Sequence, residues 1–130
     1  LRVKFTPLLG FSIGVDHSAY YDDWGIFNFA AEPSVEGYFV QEIARWRVWY
    51  RFSYQDGTRF MRDQPQKKYK FQTDDPDLGK FTTQSGGALF YFDVAQWSTV
   101  HWILRVSGYC VSRNDGIWGI GALLGTEFTW

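Results

Sequence analysis

The chain reads as an all-β protein, an antiparallel β-sandwich or a closed β-barrel of about eight strands, and three observations carry that reading. Residues 44 to 54 alternate with period two: Ala44, Trp46, Val48, Tyr50, Phe52 and Tyr54 point one way, and Arg45, Arg47, Trp49, Arg51 and Ser53 the other. Strand-like runs recur every 8 to 12 residues with turn residues between them. Two Asp-Gly turns, at Asp56-Gly57 and Asp115-Gly116, punctuate the sequence, and no helical pattern fits ten consecutive residues well.

Taken in order, Leu1, Val3 and Phe5 alternate with Arg2, Lys4 and Thr6, and Phe11, Ile13 and Val15 with Ser12 and Gly14. This gives two short strands broken near Pro7 and Gly10. A third strand is expected over Trp24 to Ala30. The Ala-Ala-Glu-Pro-Ser stretch around Pro33 reads as a loop leading into a long strand from Tyr38 to Tyr54. A three-residue turn Gln55-Asp56-Gly57, with Gly57 left-handed, would pair Phe60 with Phe52 and Thr58 with Tyr54 and keep Phe60 on the apolar face. Asp63 to Lys80 is polar and Pro/Gly-punctuated, a connection with a short strand at Tyr69 to Gln72. Ala88 to Val94 and Thr99 to Val106 follow as strands, with a bulge expected at Gly108. Asn114-Asp115-Gly116 turns the chain back through Ile117 to Leu124 and Glu127 to Trp130. The glycine-rich run there reads as a buried closing strand where backbones approach closely, since neither a helix nor a lysine follows it as in a phosphate loop.

At 130 residues the expectation is a single β domain, 1–130. One cysteine, Cys110, excludes an intramolecular disulfide framework and leaves the compartment open. The chain opens on Leu1, which reads as a processed or partial polypeptide. No run reaches the ~20 apolar residues of a membrane-spanning helix, so no transmembrane segment is expected. Thirteen Lys and Arg against 14 Asp and Glu give a net charge of -1, which makes nucleic acid an unlikely partner.

The charge is segregated. Between Asp16 and Ala44 six carboxylates stand without one Lys or Arg, while Arg45 to Lys70 is strongly basic. Two readings follow: mutual neutralisation across neighbouring strands, or a dedicated anion site. Arg45, Arg47, Trp49 and Arg51 are the candidate ligand-binding residues, because guanidinium forks on a rigid strand take oxyanions and an indole offers a flat platform for a sugar ring. Seven Trp, eight Tyr and 12 Phe exceed what one small core requires, so rings are expected on a binding surface, in a cavity or at an interface.

No catalytic signature appears. Glu42, His101 and Asp93 are the weak candidates for acid–base work. Glu42 would fall on the apolar face if the strand ran unbroken through it, with a raised pKa, and a bulge at Gln41 to Ile43 would release it to solvent. His101 and Cys110 differ in parity and cannot face each other on one strand. The Asp16-His17, Asp22-Asp23 and Asp74-Asp75-Pro76-Asp77 clusters lack a calcium-loop pattern and read as turns that serve their own backbone. No metal site and no cofactor are expected.

The run Gly37-Tyr38-Phe39-Val40-Gln41-Glu42-Ile43 resembles a strand in β-rich domains of uncharacterised exported bacterial proteins, some of them parts of toxin-like polypeptides. The resemblance covers seven residues and implies an exported or extracellular setting without naming an activity. The leading expectation is therefore a non-enzymatic recognition domain whose partner is a carbohydrate, an anionic small molecule or another protein. The alternatives are an effector or hydrolase domain, and a structural subunit whose rings are buried in an assembly.

Overall fold

The computed structural model describes residues 1–8, 10–40, 43–59, 75–97 and 100–130. Seven strands lie in chain order in one antiparallel sheet. They are β1 (Arg2–Leu8), β2 (Phe11–Tyr21), β3 (Phe27–Val40), β4 (Ala44–Asp56), β5 (Phe81–Trp97), β6 (Val100–Arg113) and β7 (Trp118–Thr129). The only helical element described is a 3₁₀ turn, Pro76–Leu78, started by Asp75, whose side chain accepts from the Asp77 N–H. The all-β, antiparallel expectation holds. Among the described residues the sheet has seven strands where about eight were expected, and it is not closed.

Register explains several departures from the sequence reading. The stretch around Pro33 is strand, because β3 pairs along its whole length with β2, from Phe11↔Gly37 through Val15↔Pro33 to Tyr21↔Phe27. The long strand expected from Tyr38 to Tyr54 is instead a hairpin. Val40 faces Ala44, and the Ile43 N–H donates to the Val40 carbonyl at 3.1 Å. Glu42 itself lies outside the described residues.

The expected hairpin at Gln55-Asp56-Gly57 does not form, and β4 pairs with β5 from Ala44↔Phe92 to Gln55↔Phe81. Gly57 is not left-handed. The chain after it is pinned to other loops: the Thr58 N–H donates to the Leu78 carbonyl (2.8 Å), the Thr58 hydroxyl to that of Trp24 (2.9 Å), and the Gln55 amide to those of Asp77 and Gly79. Phe60 and the strand expected at Tyr69 to Gln72 are outside the described residues. Gly108 sits in regular register, and the β5–β6 irregularity falls between Asp93 and Ala95. The Asn114-Asp115-Gly116 turn forms as expected, with Gly116 at φ 94° and an Arg113 N–H to Ile117 carbonyl bond of 2.7 Å.

The parity expected for residues 44 to 54 is correct, but the apolar face is not a covered core. Among the described residues only Ile26, Ala30 and Ala44 are buried apolar side chains. The chain exposes 9627 Å², against roughly 7,100 Å² for a compact monomer of its mass. The pairings carry one continuous apolar face across the strands, with Phe5, Ile13, Val35, Val48, Ala88, Gly108 and Ala122 forming its middle row. Rings flank that row on both sides: Phe11, Trp46, Phe90 and Phe92 toward the turns at 41–43 and 98–99, and Tyr50, Phe52 and Trp118 toward the other end. Phe39 joins the first group, 6.1 Å from both Trp46 and Phe90. The closing strand β7 is accordingly an exposed edge and not buried, with Trp118, Ile120 and Leu124 in the open.

Candidate functional site on the polar face

The side chains of opposite parity form a second face, which carries the charges together with Trp49, Leu89, Ile103, Val111 and Leu123 and is called the polar face. Its rows can be read off the pairings. Arg2, Asp16 and Glu32 stand side by side; Ser12, Glu36 and Arg47 form the next set; Tyr38, Arg45, Tyr91, Arg105 and Gly125 form another. Strand alternation puts the charges here, and antiparallel register sets opposite signs beside each other.

The result is an ion-pair lattice. Arg2 grips Asp16 through Nε and Nη2 at 2.6 and 2.9 Å. Arg47 Nη2 lies 3.0 Å from Glu32 and 3.7 Å from Asp16, and Arg51 Nη1 reaches the other Glu32 oxygen at 3.5 Å. Lys4 pairs with Glu36, which also accepts from the Ser12 hydroxyl at 3.1 Å. Arg105 pairs with Glu127. Of the two readings of the segregated charge, cross-strand neutralisation is the one these distances match for Arg47 and Arg51.

The four expected ligand residues therefore share a face but not a role. Trp49 is half-buried and its ring covers Gly87, where a Cβ would lie 3.0 Å from Trp49 Cζ2. Tyr109 covers Gly121 in the same manner, so glycines pack under rings across β4 to β7. Arg45 differs from its neighbours. Its guanidinium lies 4.9 Å from the centre of the Tyr91 ring, and that of Arg105 approaches the same ring at 5.5 Å.

The catalytic candidates are not assembled. Asp93 and His101 both lie on the polar face, opposite Ile103 and Gln96 respectively, and no hydrogen bond or ion pair joins their side chains among the described residues. The Asp93 N–H donates to the Ile43 carbonyl at 2.8 Å. Cys110 is exposed on the apolar face, opposite in parity to His101 as expected. The aspartate clusters serve their own surroundings: Asp22 accepts from the Ile26 N–H at 3.0 Å, and Asp16 is held by Arg2. Among the described residues no group of three or more His, Cys, Asp or Glu gathers as a metal site. In the β6–β7 turn, hydrogen bonds from Arg113 hold the Asp115 carboxyl below its ordinary range.

The two faces differ in cover as well as in polarity. Glu32, Arg47 and Asp16 keep only 20%, 23% and 27% of their side chains exposed, while Ile120, Leu124 and Phe5 are 79%, 70% and 66% exposed. Depressions of about 470, 320 and 150 Å³ are lined chiefly by the polar face. Tyr91, Arg105, Asp16, Glu32 and Glu36 were not singled out from sequence as site residues, although their parity and sign were available there. Comparison of the chain with protein-family models, with curated proteins and with solved structures found no match.

Proposed function

We propose that this sheet is wall of a membrane-spanning β-barrel, its apolar face turned to lipid and its charged face to an aqueous lumen. The observation that carries the reading is the uncovered apolar face. From the row of Phe92 to the row of Cys110, it bears no Asp, Glu, Lys, Arg or His on any described strand. Water would penalise so large an exposed apolar patch, and lipid would not.

Dimensions agree with that environment. From Ala44 to Phe52, at about 3.4 Å per residue, the strand covers about 27 Å, or about 21 Å along a membrane normal at a tilt of about 40°. An apolar band about 25 Å tall between two aromatic girdles is what a bilayer demands of such a wall. Connections alternate in length too. Residues 9–10, 41–43 and 98–99 separate strands at one end of the sheet, and 22–26, 57–80 and 114–117 at the other. No helix among the described residues is long and apolar enough to cross a membrane, which leaves strands as the spanning elements in this reading. A lipid-embedded wall also accords with the exported setting implied by the Gly37 to Ile43 resemblance.

The test is insertion. The chain, transferred from urea into vesicles of phosphatidylcholine, should gain strand circular dichroism and bind the vesicles. Brominated acyl chains should then quench Trp46 and Trp118 in single-tryptophan variants, with aqueous iodide far less effective. A monodisperse, folded monomer in plain buffer with the same strand content would reject the proposal.

A further inference from the structure

We propose that Arg45, Tyr91 and Arg105 form a binding site for a phosphate-type oxyanion on the polar face. Tyr91 on β5 is directly opposite Arg45 on β4 and Arg105 on β6 and stands between them. Both guanidinium groups lie within 5.5 Å of the centre of one ring, so two positive charges share a single neutral platform. Each of Arg2, Arg47, Arg51, Arg105 and Arg113 has a carboxylate partner. Arg45, which is exposed, has none among the described residues. Arg45 therefore keeps a charge that no described carboxylate neutralises, and a guanidinium stacked on a ring keeps its edge donors free for an oxyanion.

Surroundings suit the same ligand. The depression of about 470 Å³ beside the row is lined by Lys4, Thr6, Ser12 and Tyr38 as well as Arg45 and Arg105, and Thr6 and Tyr38 add hydroxyl donors. Glu36 also lines it, already engaged by Lys4 and Ser12. Next to Arg105 stands Gly125, where a Cβ would meet nothing within 4 Å, so ligand has room there. The volume exceeds that of a bare phosphate and fits a phosphate ester whose body lies on Tyr38 and Tyr91. Arg47, Trp49 and Arg51 do not line this depression, and the two arginines hold Glu32.

The inference does not depend on the membrane reading, because the row exists whichever solvent bathes the outer face. Inorganic phosphate and glycerol 3-phosphate are titrated into the full chain by calorimetry, in whichever medium, micelle or buffer, circular dichroism shows the sheet formed. Saturable binding is expected, tighter for the ester, surviving chloride at equal ionic strength. Arg45→Gln should weaken it about tenfold or more, the loss of one charge-assisted contact, while Arg51→Gln leaves it unchanged. Arg45→Lys guards against misfolding: it keeps the charge, loses the fork, and should bind with intermediate affinity. Equal affinity in the wild type and both Arg45 variants, displacement by chloride, or no heat from the folded wild type would each overturn the site.

Discussion

A single charge on the apolar face distinguishes lipid from water more sharply than any other substitution. Val48 stands in the middle row, paired with Val35 and Ala88, and is 49% exposed. If water bathes this face, Val48→Arg is a surface change and should alter stability by no more than about 0.5 kcal/mol. If lipid does, the guanidinium sits near the bilayer midplane and should cost about 2–4 kcal/mol. Gln84 provides the internal standard. It lies on the same face, four residues along β5 from Ala88, which faces Val48. Four residues are about 14 Å along the strand, or about 10 Å toward the interface at a tilt of about 40°. Gln84→Arg should therefore cost about 0–1 kcal/mol. Reversible urea unfolding in phosphatidylcholine vesicles, followed by circular dichroism, measures both. Losses below about 0.5 kcal/mol at both positions, with no gradient between them, would refute the lipid-facing assignment.

Three further outcomes are expected. Gly87→Ala should destabilise the sheet by about 1–3 kcal/mol, since its new Cβ would lie 2.6 Å from the Gly108 carbonyl oxygen; Gly121→Ala should cost less, because the group it meets is the movable Tyr109 ring, and a urea midpoint no lower than wild type for Gly87→Ala would contradict this packing. Arg47→Ala, at 23% side-chain exposure and facing Glu32 and Asp16, should cost more than Arg51→Ala, whose exposed contact should be worth no more than about 1 kcal/mol; equal midpoints would show that Arg47 is not the centre of the lattice. Asp115 has its carboxyl pKa depressed by Arg113, so its contribution is present above the ordinary carboxylate range and is lost as pH falls through the lowered value. The protection factors of the β6–β7 turn amides, which divide out the intrinsic pH dependence of exchange, should fall in acid in the wild type and stay constant over that range in Asp115→Asn.

Period-two patterning made the strands legible, as the 44–54 parity and the Asn114-Asp115-Gly116 turn attest, because both signals are local. What lay on each side of the sheet was not legible from one strand. Alternation says that Trp46 and Arg47 point apart, and the customary inference that the apolar side is covered fails here. Pro33 misled because proline is usually a strand breaker, whereas register on the β2 side accommodates it. The Asp56-Gly57 signal was overridden by bonds from Thr58 and Gln55 to residues 20 or more positions away in the chain. For the site, sequence proximity suggested Arg45, Arg47 and Arg51 as a unit. Register divides them, giving Arg47 and Arg51 to the acids of β2 and β3 and Arg45 to Tyr91 on β5.

The strand count has a topological consequence. Because each strand is antiparallel to the next, β1 and β7 run in the same direction. Joining them edge to edge would create one parallel seam. A cylinder that is antiparallel throughout needs an even number of staves, so these seven require an odd number of others. A rotated second copy in the same bilayer orientation supplies an odd number but fails on direction: β7 of one would meet β1 of the other running the same way, and both seams would be parallel. If the sheet is part of a barrel, all-antiparallel closure therefore calls for strands different from these seven, a question of strand direction that a disulfide scan along the outer edges of β1 and β7 can answer.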